Sequence, residues 1–489
     1  MKVLYVTSEV VPFAKTGGLA DVAGVLPLYV QKCGCDIRVV TPLYRTTQKQ
    51  GFDLATLGFD FELQLGRKTY AGLFFKSLLK QAVPIYFVQC GELYDRDGLY
   101  GDKHGDYSDN AERFIFFCRA VLELCSQIDF VPDIIHCNDW QTGLIPAYIK
   151  AGFGTGFFDT TVTVYTIHNL AYQGLAGWDK FELTGLPHWF FDMRGLEYWG
   201  QMSMLKSGII FSHVINTVSR KYAQEIQTPE FGSGFEGILQ DRKNDLYGIL
   251  NGVDYDEWNP ETDKLIAFRY NAQTMQFKQE CKKDLLVQCG LPERLLYAPL
   301  IGSISRLVDQ KGFDLIAAIV EKMLGLGAGY ILLGSGDAVF ERLFKKLASR
   351  NKGCMSFCCA YDNQLAHKIE GGCDMFLMPS RFEPCGLNQI YSLKYGTVPI
   401  VRATGGLDDT IVDYTAQGTD TGNGFKFEKY TPAALFGAIQ RSVALYYNEP
   451  ARWKKLMVNG MAFDFSWNFS VNAYMQLYAK ALEKSVTIP

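Results

Sequence analysis

Short apolar runs, each followed by an amphipathic or glycine-rich stretch, recur along almost the whole chain, and this alternation restricts its fold more than any other feature. An apolar run of strand length, bounded by turn residues, predicts a strand buried on both faces. Helical stretches between such runs predict β-α units wound around a parallel sheet. In the first half the predicted strands are Val3 to Thr7, Ile37 to Thr41, Ile85 to Val88, Ile134 to Cys137, Val162 to Ile167 and Val214 to Val218. Helices are predicted between them at Asn110 to Gln127 and Thr142 to Lys150, and Phe52 to Phe75 alternates like a β-hairpin insertion. A second series begins after the Asn251-Gly252-Val253-Asp254 turn and a polar segment, with strands at Leu300 to Ser305, Tyr330 to Leu333, Met355 to Cys358, Asp374 to Met378 and Val398 to Val401. An amphipathic helix, about Phe469 to Lys484, ends the pattern with no strand after it. The chain therefore reads as two successive doubly wound α/β domains joined near residues 245 to 252.

Composition fits this reading and removes several alternatives. At 489 residues the chain is too long for one ordinary core. Its 48% hydrophobic and 20% charged residues suit a globular protein, and a net charge of -4 gives no electrostatic case for nucleic acid or an anionic membrane. The apolar start, Met1 to Val6, is too short for an export signal, and no window approaches the roughly 18 apolar residues of a membrane span. A cytoplasmic location is expected on that basis. The 13 cysteines are scattered, often inside apolar runs such as Cys118, Cys125, Cys358 and Cys359, and are read as reduced thiols. There is no Cys-x-x-Cys pair or histidine-rich cluster, so no metal site is expected.

Chemistry concentrates where predicted strands give way to loops, the edge at which open α/β sheets bind ligands. The loop Ser8 to Asp21 follows the first strand and opens a helix; it carries Lys15, Gly17 and Gly18, a point charge beside two residues that allow close backbone approach. Taken alone, it serves equally well as a plain βα turn or as a phosphate grip. It is neither a Walker A loop, since the lysine precedes the glycines, nor a dinucleotide fingerprint. Gly334-Ser335-Gly336-Asp337-Ala338-Val339 also departs from that fingerprint, with Val339 at the third small position. Thr16-Gly17-Gly18-Leu19-Ala20-Asp21 is echoed by Thr404-Gly405-Gly406-Leu407-Asp408-Asp409, again leading into a helix, where outward-pointing amides are expected to bind anions.

His168 and Asn169 stand at the end of one predicted strand, and His136-Cys137-Asn138-Asp139-Trp140 at the end of another. Arg306 and Lys311 place two cations on one loop of the second half; a solvated surface is the default for such charges, while a departing diphosphate needs them. The densest stretch is Met378 to Gln389, with Glu383 in a proline-bounded loop before a predicted helix.

Taken together and in order, these motifs closely resemble the bacterial glycogen synthases and plant starch synthases. The resemblance rests on Lys-Thr-Gly-Gly-Leu-Ala-Asp, Tyr-Thr-Ile-His-Asn-Leu-Ala-Tyr-Gln-Gly, Leu-Asn-Gly-Val-Asp, Ser-Arg-Leu-x-x-Gln-Lys-Gly, Pro-Ser-Arg-Phe-Glu-Pro-Cys-Gly-Leu, Leu-Lys-Tyr-Gly-Thr-x-Pro and the second Thr-Gly-Gly-Leu, and it covers almost the whole chain. It implies two Rossmann-like domains facing a central cleft, the GT-B glycosyltransferase fold. The implied domains span residues 1–248 and 249–466, with a terminal helix (467–489) packed on the first. It implies glucose transfer from ADP-glucose to the non-reducing end of an α-1,4-glucan with retained configuration and no cofactor.

The resemblance also implies the site. Lys15, Gly17 and Gly18 contact the donor from the first domain. Arg306 and Lys311 neutralise its diphosphate from the second, where Cys385, Gly386, Leu387, Thr404, Gly405 and Gly406 also line the donor. Glu383 is expected near ribose and glucose, and His168 near the reacting sugar, with Glu9, Asp21, Tyr94, Asp139 and Asn169 on the sugar side. Asn138 departs from the family pattern, which usually has a histidine there; asparagine cannot titrate, so an acid or base role at 138 is not expected. Nothing in the residues themselves selects ADP-glucose over UDP-glucose. A same-fold epimerase would act without a glucan. A non-catalytic glucan-binding protein would leave Lys15, Arg306, Lys311 and Glu383 without a joint purpose. A glucan phosphorylase is disfavoured because no pyridoxal-phosphate lysine site is recognisable.

Overall fold

The apolar run after Met1 forms strand β1 (Lys2–Val6), in which every residue but the first is buried, as a strand covered on both faces requires. The computed structural model of the protein describes residues 1–102, 104–415 and 421–485. Contacts divide the chain into two units, one comprising Met1–Val218, Ala223–Gly252 and the residues from Trp467 onward, the other Ser219–Tyr222 and Val253–Ser466.

The first unit is built on a nine-stranded sheet. Besides β1 it contains β2 (Asp36–Pro42), β3 (Ala55–Leu65), β4 (Lys68–Leu79), β5 (Val83–Gln89), β6 (Ile134–Asn138), β7 (Val162–Ile167), β8 (Val214–Thr217) and β9 (Leu246–Gly248). Their order across the sheet is β9-β8-β7-β6-β1-β2-β5-β4-β3. The pairings of β1 are parallel, Val3 lying opposite Ile37 of β2 and Ile134 of β6. The strand order therefore reverses beside β1, and an open sheet of this kind has its ligand crevice at such a reversal. The insertion expected at Phe52 to Phe75 is the antiparallel edge hairpin β3–β4, whose alternating burial fits a sheet with one wet face.

Helix α1 (Gly18–Lys32) buries Val22, Leu26 and Val30 against this sheet, and the terminal helix α4 (Trp467–Ser485) joins the same core through Trp467, Tyr474 and Tyr478. Three fully buried aromatic side chains contribute on the order of 15 kcal/mol by area, an upper figure because the unfolded chain already hides part of that surface. Polar ties fix the helix along its length: Ser470 Oγ donates to the Leu250 carbonyl (2.7 Å), and Lys484 Nζ is bound to Asp245.

The second unit carries an all-parallel six-stranded sheet. Its strands are β10 (Leu300–Ile304), β11 (Gly329–Leu333), β12 (Met355–Cys358), β13 (Met375–Met378), β14 (Val398–Arg402) and β15 (Phe425–Phe427), in the order β12-β11-β10-β13-β14-β15. Here the reversal falls between β10 and β13. Helix α2 (Phe313–Gly325) lays Phe313, Ile316 and Val320 into the core at helical spacing.

Every predicted strand is present, with ends shifted by a residue or two. Sequence reading misses β9, β15 and a small sheet of Leu175–Ala176, Glu197–Tyr198 and Gln201–Ser203. Strands of two or three residues are too short to display a period. The reading also gives no hint that Ser219–Tyr222 belongs to the second unit, where Ser219 Oγ donates to the Pro384 carbonyl (2.5 Å). All 13 cysteines are free thiols, and no helix among the described residues is long and apolar enough to cross a membrane.

Candidate active site

In the first unit the predicted residues gather at the carboxyl ends of β1, β6 and β7, three adjacent strands. Glu9, only 4% exposed, turns back onto the loop that follows it. Its Oε2 accepts the amides of Thr16 (2.5 Å) and Gly17 (3.1 Å), and its Oε1 accepts the hydroxyls of Thr16 (2.6 Å) and Tyr100 (2.8 Å). This corrects the expectation of outward-pointing amides at Thr16 and Gly17. The Gly17 amide belongs to the N-cap of α1 and is one of the donors that a helix N-terminus leaves unpaired, while Thr16 lies just before it; carboxylate and helix end stabilise each other. Lys15 Nζ is bound to Asp21 Oδ1 at 2.6 Å, so two predicted site residues meet on the half-exposed surface beside Glu9.

Asp139 follows β6 with φ 57° and ψ −178°, a region that is almost the preserve of glycine and costs on the order of 1–3 kcal/mol. Such strain persists only when neighbours over-determine it. Here the Asp139 amide donates to the Thr166 carbonyl (3.0 Å), while its Oδ1 accepts the amides of His168 (2.7 Å) and Asn169 (3.4 Å). One carboxylate thus clamps the turn that carries His168. Burial raises the Asp139 carboxyl to about 7 and lowers the His168 imidazole to about 3, so His168 is neutral at physiological pH. The imidazole Nε2 lies 2.9 Å from Asn138 Oδ1. Asn169 Oδ1 accepts the Ala171 amide (3.1 Å) and holds the next turn.

Tyr94 is a second correction. It is 1% exposed, and its hydroxyl donates to the Arg113 carbonyl (2.7 Å). It packs edge-on to Tyr44 and supports the site from within the core, without lining it.

In the second unit the predicted residues gather at the ends of β10, β13 and β14, again beside the reversal of strand order. Lys311 Nζ is 2.6 Å from Glu383 Oε2, which also accepts the Ser380 hydroxyl (2.9 Å). Glu383 is 5% exposed, and a buried carboxylate requires such partners. Arg306, on the same loop as Lys311, is exposed and forms no ion pair among the described residues. Two glycines allow the loops to close on one another. Gly312 has φ 74°, and a Cβ there would lie 2.1 Å from the Pro379 carbonyl oxygen. Gly405 has φ 47°, and its Cβ would lie 1.9 Å from the Glu383 carbonyl oxygen.

The Gly406 amide donates to the carbonyls of Glu383 (3.1 Å) and Pro384 (3.2 Å), so the second Gly-Gly loop, like the first, spends an amide on its own neighbour. Thr404 and Gly405 are thereby held against Glu383 to Leu387, bringing Cys385 and Gly386 into the same cluster. Gly386 takes φ 71°, a left-handed turn suited to glycine, and helix α3 (Asn388–Lys394) begins just beyond it. Asn388 Nδ2, at its start, donates to the Ile304 carbonyl (2.9 Å).

Sequence reading missed Tyr5, Tyr100 and Ser380, together with the contact made by Asn138. Ser380 sits inside the quoted Pro-Ser-Arg-Phe-Glu run, where a hydroxyl three residues before a buried carboxylate was the available signal. Tyr5 and Tyr100 carry no local signal.

Comparison with known proteins places the chain. A family profile described as the starch synthase catalytic domain matches residues 2–241, and one described as glycosyl transferases group 1 matches residues 296–456. Glycogen synthase of Koribacter versatilis is 45% identical, with all of both chains covered, and that of Geotalea daltonii is 45% identical with 99% of each covered. The catalytic domain of starch synthase IV from Arabidopsis thaliana, solved bound to ADP and acarbose, superposes with a TM-score of 0.91 at 33% identity, covering 98% of this chain and 99% of that one. Sucrose-phosphate synthase from Thermosynechococcus elongatus shares the fold alone, at a TM-score of 0.61 and 17% identity. With two Rossmann-like units of the GT-B class and relatives matched end to end, the chain belongs to the glycogen synthase and starch synthase family of glycosyltransferases.

Proposed function

We propose that the protein transfers glucose from ADP-glucose to the non-reducing end of an α-1,4-glucan, retaining the anomeric configuration. The bond from the sugar's anomeric carbon to the diphosphate breaks, a bond to the acceptor's 4-hydroxyl oxygen forms, and the hydroxyl proton leaves with ADP or solvent. The difficulty lies in the charge that develops on the departing diphosphate. Lys15, Arg306 and Lys311 are the cations proposed to answer it, each worth on the order of 10² to 10³ in rate if preorganised. Lys15 and Lys311 already face carboxylates at 2.6 Å, which holds each ammonium in place before a donor arrives. Glu383 is assigned to the donor's sugar and ribose. His168, Glu9, Asp21, Asp139 and Asn169 are assigned to the sugar side.

The observation that supports this reading best is the Lys311–Glu383–Ser380 cluster, set at the carboxyl edge of a parallel sheet in a chain that matches glycogen synthases throughout. The relative solved with ADP supports the adenine donor. Nucleotide release from ADP-glucose and from UDP-glucose, each with and without glycogen, tests both halves of the proposal. Release from ADP-glucose that depends on glycogen is expected. Preference for UDP-glucose would replace the donor assignment, and donor turnover unaffected by glycogen would remove the acceptor.

A further inference from the structure

We propose that Asn138 is a positioning residue that locks His168 into the tautomer with its proton on Nε2, so that Nδ1 is offered as a hydrogen-bond acceptor to a sugar hydroxyl. This deepens the assignment of His168 to the sugar side and rests on it.

The orientation of the Asn138 amide comes first. Its Nδ2 donates to the backbone carbonyls of Val6 (2.9 Å) and His136 (3.4 Å). Flipping the amide would set its oxygen against both carbonyls, replacing two hydrogen bonds by two acceptor–acceptor contacts. The oxygen must therefore face the other way, where it meets the Tyr5 hydroxyl (3.1 Å) and His168 Nε2 (2.9 Å). An amide oxygen can only accept, so Nε2 must carry a proton. Burial keeps the ring neutral, and a neutral imidazole has a single ring proton; Nδ1 is left with its lone pair.

Among the described residues no other group is bonded to the ring. Asp139 uses Oδ1 on the backbone amide of His168 and not on the ring. His168 Nδ1 has no hydrogen-bond partner among the described residues. His136 is neutral too, and both its nitrogens are engaged, by Tyr478 (2.8 Å) and Thr166 (2.6 Å). Asn138 is itself wholly buried and reaches a ligand only through His168. His168 so arranged takes a hydrogen bond from a hydroxyl but cannot give a proton, which makes it a recognition group and not a general acid.

Six histidines make a direct reading practical. In the full-length protein labelled with 15N-histidine, the His168 ring signals are identified by their loss in H168Q. A protonated Nε2 beside an unprotonated Nδ1 is expected at neutral pH; a proton on Nδ1, or a doubly protonated ring, overturns the proposal without any variant at 138. In N138L the ring should drift to a tautomer mixture, with kcat down about 10-fold, the size expected for one lost hydrogen bond. The same change made in H168Q should cost less than about threefold further, because groups that act through one another are not additive. An equal loss in both backgrounds would mean that Asn138 only holds the fold, and would overturn it. Full turnover by H168Q would instead remove His168 from the sugar site, while the spectrum would still report its tautomer.

Discussion

Lys311 and Glu383 are the residues on which the donor assignment can be tested most sharply. Removing the ammonium takes away one of the cations proposed for the departing diphosphate and leaves a 5%-exposed carboxylate with the Ser380 hydroxyl as its remaining donor among the described residues. Lys311→Ala should lower kcat about 10²- to 10³-fold in an ADP-release assay. Glu383→Gln keeps the shape and one acceptor while removing the charge. It should cost less stability than Lys311→Ala in urea unfolding, since no uncompensated charge stays buried. Equal turnover of Lys311→Ala and the parent protein would remove Lys311 from the donor site. Lys15 meets its partner at 40% exposure, so its ion pair with Asp21 contributes little to stability; an effect of Lys15→Ala should be seen in turnover and not in the melting temperature.

At the scale of elements, α4 is joined to the centre of the first sheet through the chain Tyr478, His136, Thr166 and Asn216, every member of which is buried. Tyr478→Phe deletes the donor that faces His136 Nδ1 and leaves a buried acceptor unanswered, a loss of about 1–3 kcal/mol by urea denaturation. The same histidine makes stability depend on pH. Burial depresses its folded-state value to about 3, below the ordinary 6.5. The unfolded chain therefore binds the proton first, and the contribution of His136 is complete above about 6.5 and is lost as pH falls toward 3. Asp139 runs the other way: raised to about 7, its carboxyl contributes fully below the unfolded value near 3.9 and loses that contribution as pH rises through 7. Because these trends oppose one another between pH 4 and 7, the test is a difference between proteins. His136→Gln, compared with the parent at pH 7.5 and 5.5, should lose about 1 kcal/mol less on acidification. An unchanged difference would mean that His136 is not held neutral.

For the whole molecule, the thiols report on whether both cores are packed as described. Cys33 is exposed, and Cys289, Cys354, Cys358 and Cys359 are half-buried; the other eight are buried. A thiol reagent should modify Cys33 first, the half-buried group more slowly, and the buried thiols only with unfolding, when all 13 become reactive. Rapid native labelling of Cys118 or Cys125 would show that the first core is open. What the sequence determined by itself is what short stretches of chain decide. Burial on both faces made the strands legible, helical spacing revealed the helices, and strand-to-loop transitions located His168, Arg306, Lys311 and Glu383 at the carboxyl edges of the two sheets. Tertiary structure alone decided which of these groups meet. Asn138 and His168 are 30 residues apart and Lys311 and Glu383 72 apart, and each pair is formed by strands that become neighbours only when the sheet order is set. The same holds for the amides of Gly17 and Gly406, which sequence pattern turns outward and the fold commits to Glu9, Glu383 and Pro384. A hydrogen bond is settled by which acceptor lies within 3 Å once the chain has closed, and no local period in the sequence encodes that distance.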